Sequence, residues 1–113
     1  MKFLKLLSVL LASAIWRTMG IRPAGRALVR ALGTNDEQVR AIAGMMLVKS
    51  GKKAKPLLQE ALHRRENVST VLTVLGSIGD PSMEQEIRRF TDDQDPQVSK
   101  AARDALRVGQ YRH

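Results

Sequence analysis

The chain has 113 residues, 43% of them apolar and 4% aromatic, with no cysteine and a net charge of +8. That length carries one compact domain, and the missing cysteines exclude disulfides, thiol nucleophiles and cysteine-ligated zinc. The charge is lopsided, +10 over residues 1–65 and −2 over residues 66–113. Such a basic half faces either an anionic partner (lipid headgroups, nucleic acid or an acidic protein face) or only water.

The first element is an apolar segment, MKFLKLLSVLLASAIWR, whose only charge between Phe3 and Trp16 is Lys5. Fourteen helical residues reach about 21 Å, short of the ~30 Å hydrocarbon core, so a simple spanning helix is not expected. Three expectations compete for residues 1–18. As a docking or interfacial helix, the segment would use Phe3, Leu6, Leu7, Leu10, Leu11 and Trp16, leaving Lys2, Lys5, Ser8 and Ser13 as a narrow polar stripe. As a cap, it would cover the first helix pair. As an export signal, it would be cleaved after Ala12-Ser13-Ala14. Arg17, Arg22, Arg26 and Arg30 follow before any acid. That positive charge predicts that the remainder stays on the cytoplasmic side of any membrane the segment enters.

Helical periodicity fills residues 19–113. A helix over 22–32 has Pro23 near its start, where the missing N–H costs nothing, and stops near Gly33. In TNDE, Thr34 and Glu37 have capping-box spacing, with Asn35 or Asp36 as the other candidate caps. The next helix puts Val39, Ile42, Ala43, Met46 and Leu47 on one face and ends at Gly51. Helices are then predicted over 56–62, from Val68 to Gly79, over 81–90 and from Val98 to Gly109. The segment VSTVLTVLGSI is rich in β-branched residues and would pass for a strand in isolation. The frame makes it a helix with Val68, Val71, Leu72, Leu75 and Ile78 in the core. Thr70, Thr73, Val74 and Ser77 are then left to line a groove, or to be covered by neighbouring helices. At LGSIGDP, Gly79 is expected in the left-handed conformation, with Asp80 as N-cap and Pro81 at N1.

These elements repeat. Gly51, Gly79 and Gly109 lie 28 and 30 residues apart, and Val39, Val68 and Val98 lie 29 and 30 apart. The expected fold is all-α: a short solenoid of about three antiparallel helix pairs, near 20–50, 51–78 and 79–110, whose stacking builds the core. The stretch LGSIGDPSMEQEIRRFTDDQDPQVSKAARDAL resembles HEAT repeats, specifically the short bacterial type also found in phycobilisome lyases. Gly79-Asp80-Pro81, Asp95-Pro96-x-Val98 and the face Ala101-Ala102…Ala105-Leu106 carry the resemblance, and Val39-Arg40, Ala43 and Gly51 fit the same frame. The resemblance covers about residues 21–110. The middle unit departs from it, with Gly51-Lys52-Lys53 in place of Gly-Asp-Pro and Asn67-Val68-Ser69 in place of Asp-Pro-x-Val.

Catalytic chemistry finds little to stand on. His63 and His113 are isolated, and SGKKAK lacks both the first glycine and the Ser/Thr of a phosphate loop. Asp92, Asp93 and Asp95 lack the glycine and terminal glutamate of a calcium loop. Asp95 reads as an N-cap before Pro96, and Asp92 and Asp93 as a solvated turn. No cofactor is called for. The basic groups offer more: Arg22, Arg26 and Arg30 at i, i+4, i+8; Lys49, Lys52, Lys53 and Lys55 around one turn; Lys100, Arg103 and Arg107 near the C-terminus.

The expected function is a non-catalytic scaffold or adaptor that binds a protein partner through its helical surface. Its N-terminal helix would hold it at a membrane or a larger complex. A nucleic-acid backbone binder using the basic half is the second expectation. A lyase, which only the resemblance implies, is the third.

Overall fold

The computed structural model describes residues 5–6, 9–10 and 22–110, and these are helical or in turns, with no strand among them. The helices are α1 (Arg22–Ala31), α2 (Glu37–Ser50), α3 (Lys55–His63), α4 (Val68–Ile78), α5 (Glu84–Arg88) and α6 (Pro96–Gln110). Short 3₁₀ turns, Gly51–Ala54 and Pro81–Met83, lead into α3 and α5.

Helix starts follow local chemistry. The Asp36 carboxylate accepts from the N–H groups of Gln38 (3.0 Å) and Val39 (3.3 Å), so of the TNDE candidates it is Asp36 that caps α2. Thr34 Oγ1 instead accepts from the Asp36 N–H at 3.3 Å. Asp80 accepts from the Ser82 N–H at 3.0 Å, and Asp95 from the Gln97 N–H at 2.9 Å. Each is followed by a proline with no N–H to satisfy. Gly79 closes α4 at φ 69°, ψ 29°, its N–H donating to the Leu75 carbonyl, as LGSIGDP predicts. Gly51, at φ 56°, closes α2.

Two expectations need correction. The helix expected over 81–90 is divided, with only Glu84–Arg88 α-helical. At its start the Met83 N–H reaches the Asp80 carbonyl. At its end Arg89, Phe90 and Thr91 reach Glu86, Ile87 and Arg88, all i→i+3 bonds that tighten the coil. Asp93 is not simply solvated. Its carboxylate pairs with Arg65 at 3.1 Å and accepts from the Asp95 N–H at 3.0 Å, while the Arg65 guanidinium lies 5.8 Å from the centre of the Phe90 ring.

The turn from α3 to α4 is unusual. Glu66 N–H bonds to the Ala61 carbonyl and Arg65 N–H to the Leu62 carbonyl, the paired bonds of a Schellman end. Arg65, at φ 55°, occupies the left-handed position that glycine ordinarily fills, and Asn67 is left-handed at φ 49°.

Even-numbered helices pack on one another, α2 on α4 and, most extensively, α4 on α6. α1 packs on α3, and each even helix also packs on the odd one before it. Leu28, Leu32, Val39, Ala43, Leu47, Leu58, Val71, Leu72 and Met83 are sealed between these layers. Glycine lets α4 and α6 touch: a Cβ on Gly76 would sit 2.6 Å from Ala105 Cα. Polar ties stitch α3 and its flanks to the following helix pair: Lys55 to Ser82 Oγ, Gln59 Nε2 to Glu86 Oε1 (2.7 Å), and Arg65 to Asp93. Their sequence offsets are 27, 27 and 28 residues. The Cα radius of gyration is 13.4 Å, near the ~13 Å of a compact 100-residue domain.

Candidate partner-binding groove

On α2, Val39, Ala43 and Leu47 point into the core, which turns Arg40, Ala41, Gly44, Met45 and Val48 toward the side that α4 shares. On α4, Val68, Val71, Leu72 and Leu75 are buried, and Thr70, Thr73, Val74 and Ser77 face the same channel. Thr70, Thr73, Val74 and Ser77 line, with the α2 residues, an open channel of about 670 Å³ between α2 and α4. Val74 forms its floor, only 4% exposed, and Gly44 lies where a Cβ would just touch Val74 Cγ2, at 3.8 Å. Thr70 and Ser77 are half-buried. Thr73 is exposed, its hydroxyl donating to the Ser69 carbonyl at 3.0 Å.

Met45 and Val48 are apolar groove residues that the core-face pattern did not mark. Met45 is 55% exposed, above the other large exposed hydrophobics among the described residues, Leu10 (46%) and Val108 (42%). The signal was present in GMMLV: Met46 and Leu47 fill the core face, so Met45 and Val48 fall off it. A flexible, polarizable thioether suits a surface that accepts varied shapes.

Charge is confined to the two ends of the channel. α4 carries no charged residue. Glu37 and Arg40 sit at one end, where Arg40 Nη1 donates to the Thr34 carbonyl at 3.0 Å. Lys49 lines the other end, and exposed Lys52 and Lys53 follow in the 3₁₀ turn. None of these three lysines makes an ion pair among the described residues. Lys55 is half-buried and bonded to the Ser82 hydroxyl. Bonds from the Ser82 backbone N–H and hydroxyl hold the Asp80 carboxyl below its ordinary pKa of 3.8, and the charges of Lys55 and Lys52 add to the effect.

The other basic candidates are dispersed. Arg26 pairs with Glu60, which Arg64 also reaches at 3.1 Å; Arg30 is exposed, and the Arg22 side chain lies outside the described residues. Lys100 and Arg107 share Asp104 at 3.0 and 2.8 Å, and the Lys100 hydrogen bond, followed by the charges of Lys100 and Arg107, lowers the Asp104 pKa. Arg103 Nη1 donates to the Thr91 carbonyl at 3.3 Å. Of the candidate docking residues, Phe3, Leu7, Leu11 and Trp16 lie outside the described residues; Leu6 packs against the core beside buried Val9.

Among the described residues, no helix is long and apolar enough to cross a membrane, and no cluster of His, Asp and Glu could hold a metal ion. Comparison with protein-family models, curated proteins and solved structures returns no match for this chain.

Proposed function

We propose that the chain is a short α-solenoid of HEAT-like helix pairs that serves as a non-catalytic scaffold or adaptor, binding a protein partner in the α2–α4 groove. The observation that carries this reading is the exposed Met45 beside an uncharged lining of Gly44, Val48, Val74 and Thr73. Alternating contacts between like-placed helices, and ties repeating at 27–28 residues, support the stacked arrangement. Leu6 and Val9 turn toward the core while Leu10 is 46% exposed. That supports an N-terminal segment which covers the first helix pair on one side and docks to a membrane surface or larger complex on the other.

A photo-crosslinking amino acid at Met45 should yield a discrete adduct in the native cell, and one at Arg89 on α5's flank should not. Equal labelling at both positions, or none at Met45, overturns the reading. Deleting residues 1–18 should release the chain from membranes or from its complex on fractionation. Recovery of the intact chain only as a free monomer removes the docking role.

The nucleic-acid reading is less well supported. Arg26, Lys55, Arg103 and Arg107 are each bonded within the chain, which breaks the continuous basic stripe that phosphate binding would use.

A further inference from the structure

We infer that the groove takes an amphipathic helix of about three turns with an uncharged face and acidic residues at the end that meets Lys49 and Lys53. This rests on the groove being the docking site and specifies the chemistry of what docks there.

Three observations converge. The first is the mode of recognition. Among the described residues there is no strand, hence no sheet edge to extend. The groove walls are helices whose backbone groups are bonded internally, so recognition must run through side chains, as in helix-in-groove binding. The second is dimension. Glu37 to Lys49 spans about 18 Å of helix at 1.5 Å per residue, matching a partner helix of about 12 residues. The third is charge. α4 has no charged residue to answer a partner's charge, so a charged group pressed on Val74 and Thr73 would lose water and gain no counter-ion. At the α2 C-terminal end the situation reverses: Lys49 lines the channel and exposed Lys53 follows it, neither in an ion pair among the described residues, while the Lys52 charge is already answered in part by Asp80. Arg40, at the other end, already has the Thr34 carbonyl, and Glu37 beside it offsets its charge. The groove is therefore electrostatically polar along its length, and a partner with acid at one end fits it in one direction.

The test is selection from a displayed library of helical peptides of about 14 residues against the full chain, with anisotropy measurements on the winners. Enriched peptides should be amphipathic with Asp or Glu clustered at one end. Thr73→Arg or Met45→Glu should abolish their binding. The double variant Lys49→Glu/Lys53→Glu should weaken it by about tenfold or more, and a peptide with Lys in place of its acidic cluster should recover binding to that double variant alone. All four positions are exposed, and circular dichroism confirms folding of each variant. Winners that are neutral or basic yet lost with Met45→Glu overturn the acidic partner and leave the groove standing. Winners indifferent to Met45→Glu and Thr73→Arg, or no winners, overturn both. Binding of a short DNA duplex that the lysine variant abolishes, with no peptide binding, also overturns both.

Discussion

Gly76 lies where α4 meets α6, and the atom a Cβ would strike is backbone, Ala105 Cα at 2.6 Å. Backbone cannot swing aside, so Gly76→Ala must part the two most extensively packed helices. A loss of about 1–3 kcal/mol is expected, read as a lowered midpoint in urea or thermal unfolding. Trimming Ala105 to glycine in that background should recover only part of it, because Ala105 Cα and O still crowd the added methyl. Gly33 gives the contrast. A Cβ there meets the Asn67 side-chain amide at 2.4 Å, which can rotate at the expense of its 3.4 Å bond to the Val29 carbonyl. Gly33→Ala should cost less than Gly76→Ala, and the reverse order would contradict the packing described.

At the scale of the element, α4 is the least self-sufficient helix. Its valines and threonines have weak helix propensity, and it has no charged pair to hold a turn. It is helical because both sides are packed, against α2 and α6. Leu72, fully buried on it, should cost about 2–5 kcal/mol on truncation to alanine, measured by chemical denaturation. Met45→Glu on α2 should shift stability by no more than about 0.5 kcal/mol. Comparable losses from the two would mean that the groove side of α2 is covered by the chain itself.

The same elements show what the sequence made legible. Gly79-Asp80-Pro81 and Asp95-Pro96 were readable because each is a local rule: a left-handed stop, a carboxylate beside free N–H groups, a proline where no donor is needed. Thr70, Thr73 and Ser77 fall off the core side of α4 because apolar spacing gives that side to Val68, Val71, Leu72 and Leu75. Their opposite wall was legible only in part: GMMLV sets Met45 and Val48 off the core face, but that they and Gly44 meet α4 depends on how α2 packs against it. Arg65–Asp93 was out of reach for a different reason. It joins turns 28 residues apart, and it depends on a non-glycine residue holding a left-handed conformation.

For the whole molecule, three carboxylates contribute to the acid dependence of stability. Asp80 is lowered by the Ser82 N–H and hydroxyl, Asp93 by its Arg65 bond and the Asp95 N–H, and Asp104 by Lys100 and then Arg107. Each binds its proton less readily folded than unfolded, so the unfolded chain takes up protons first as the solution is acidified. Their stabilisation is complete above the ordinary value of 3.8 and is lost as pH falls below it through the folded pKa values. Unfolding midpoints should therefore be flat near neutrality and fall below about pH 4. Asp80→Asn should lower stability at neutral pH and make the acid decline shallower. An unchanged acid slope in that variant would show that its carboxylate titrates alike in both states.

The ties at 27, 27 and 28 residues impose arithmetic on any change of length. A single residue inserted in the α4 stretch puts every later acceptor one step out of phase with its donor, and helical rotation turns the error into the wrong face. Duplication of a whole unit, residues 51–78, preserves all the phases at once. On the stacked-repeat reading, such a molecule can lengthen only in quanta, and a tandem copy would extend the channel by one more wall with its apolar floor continued in step.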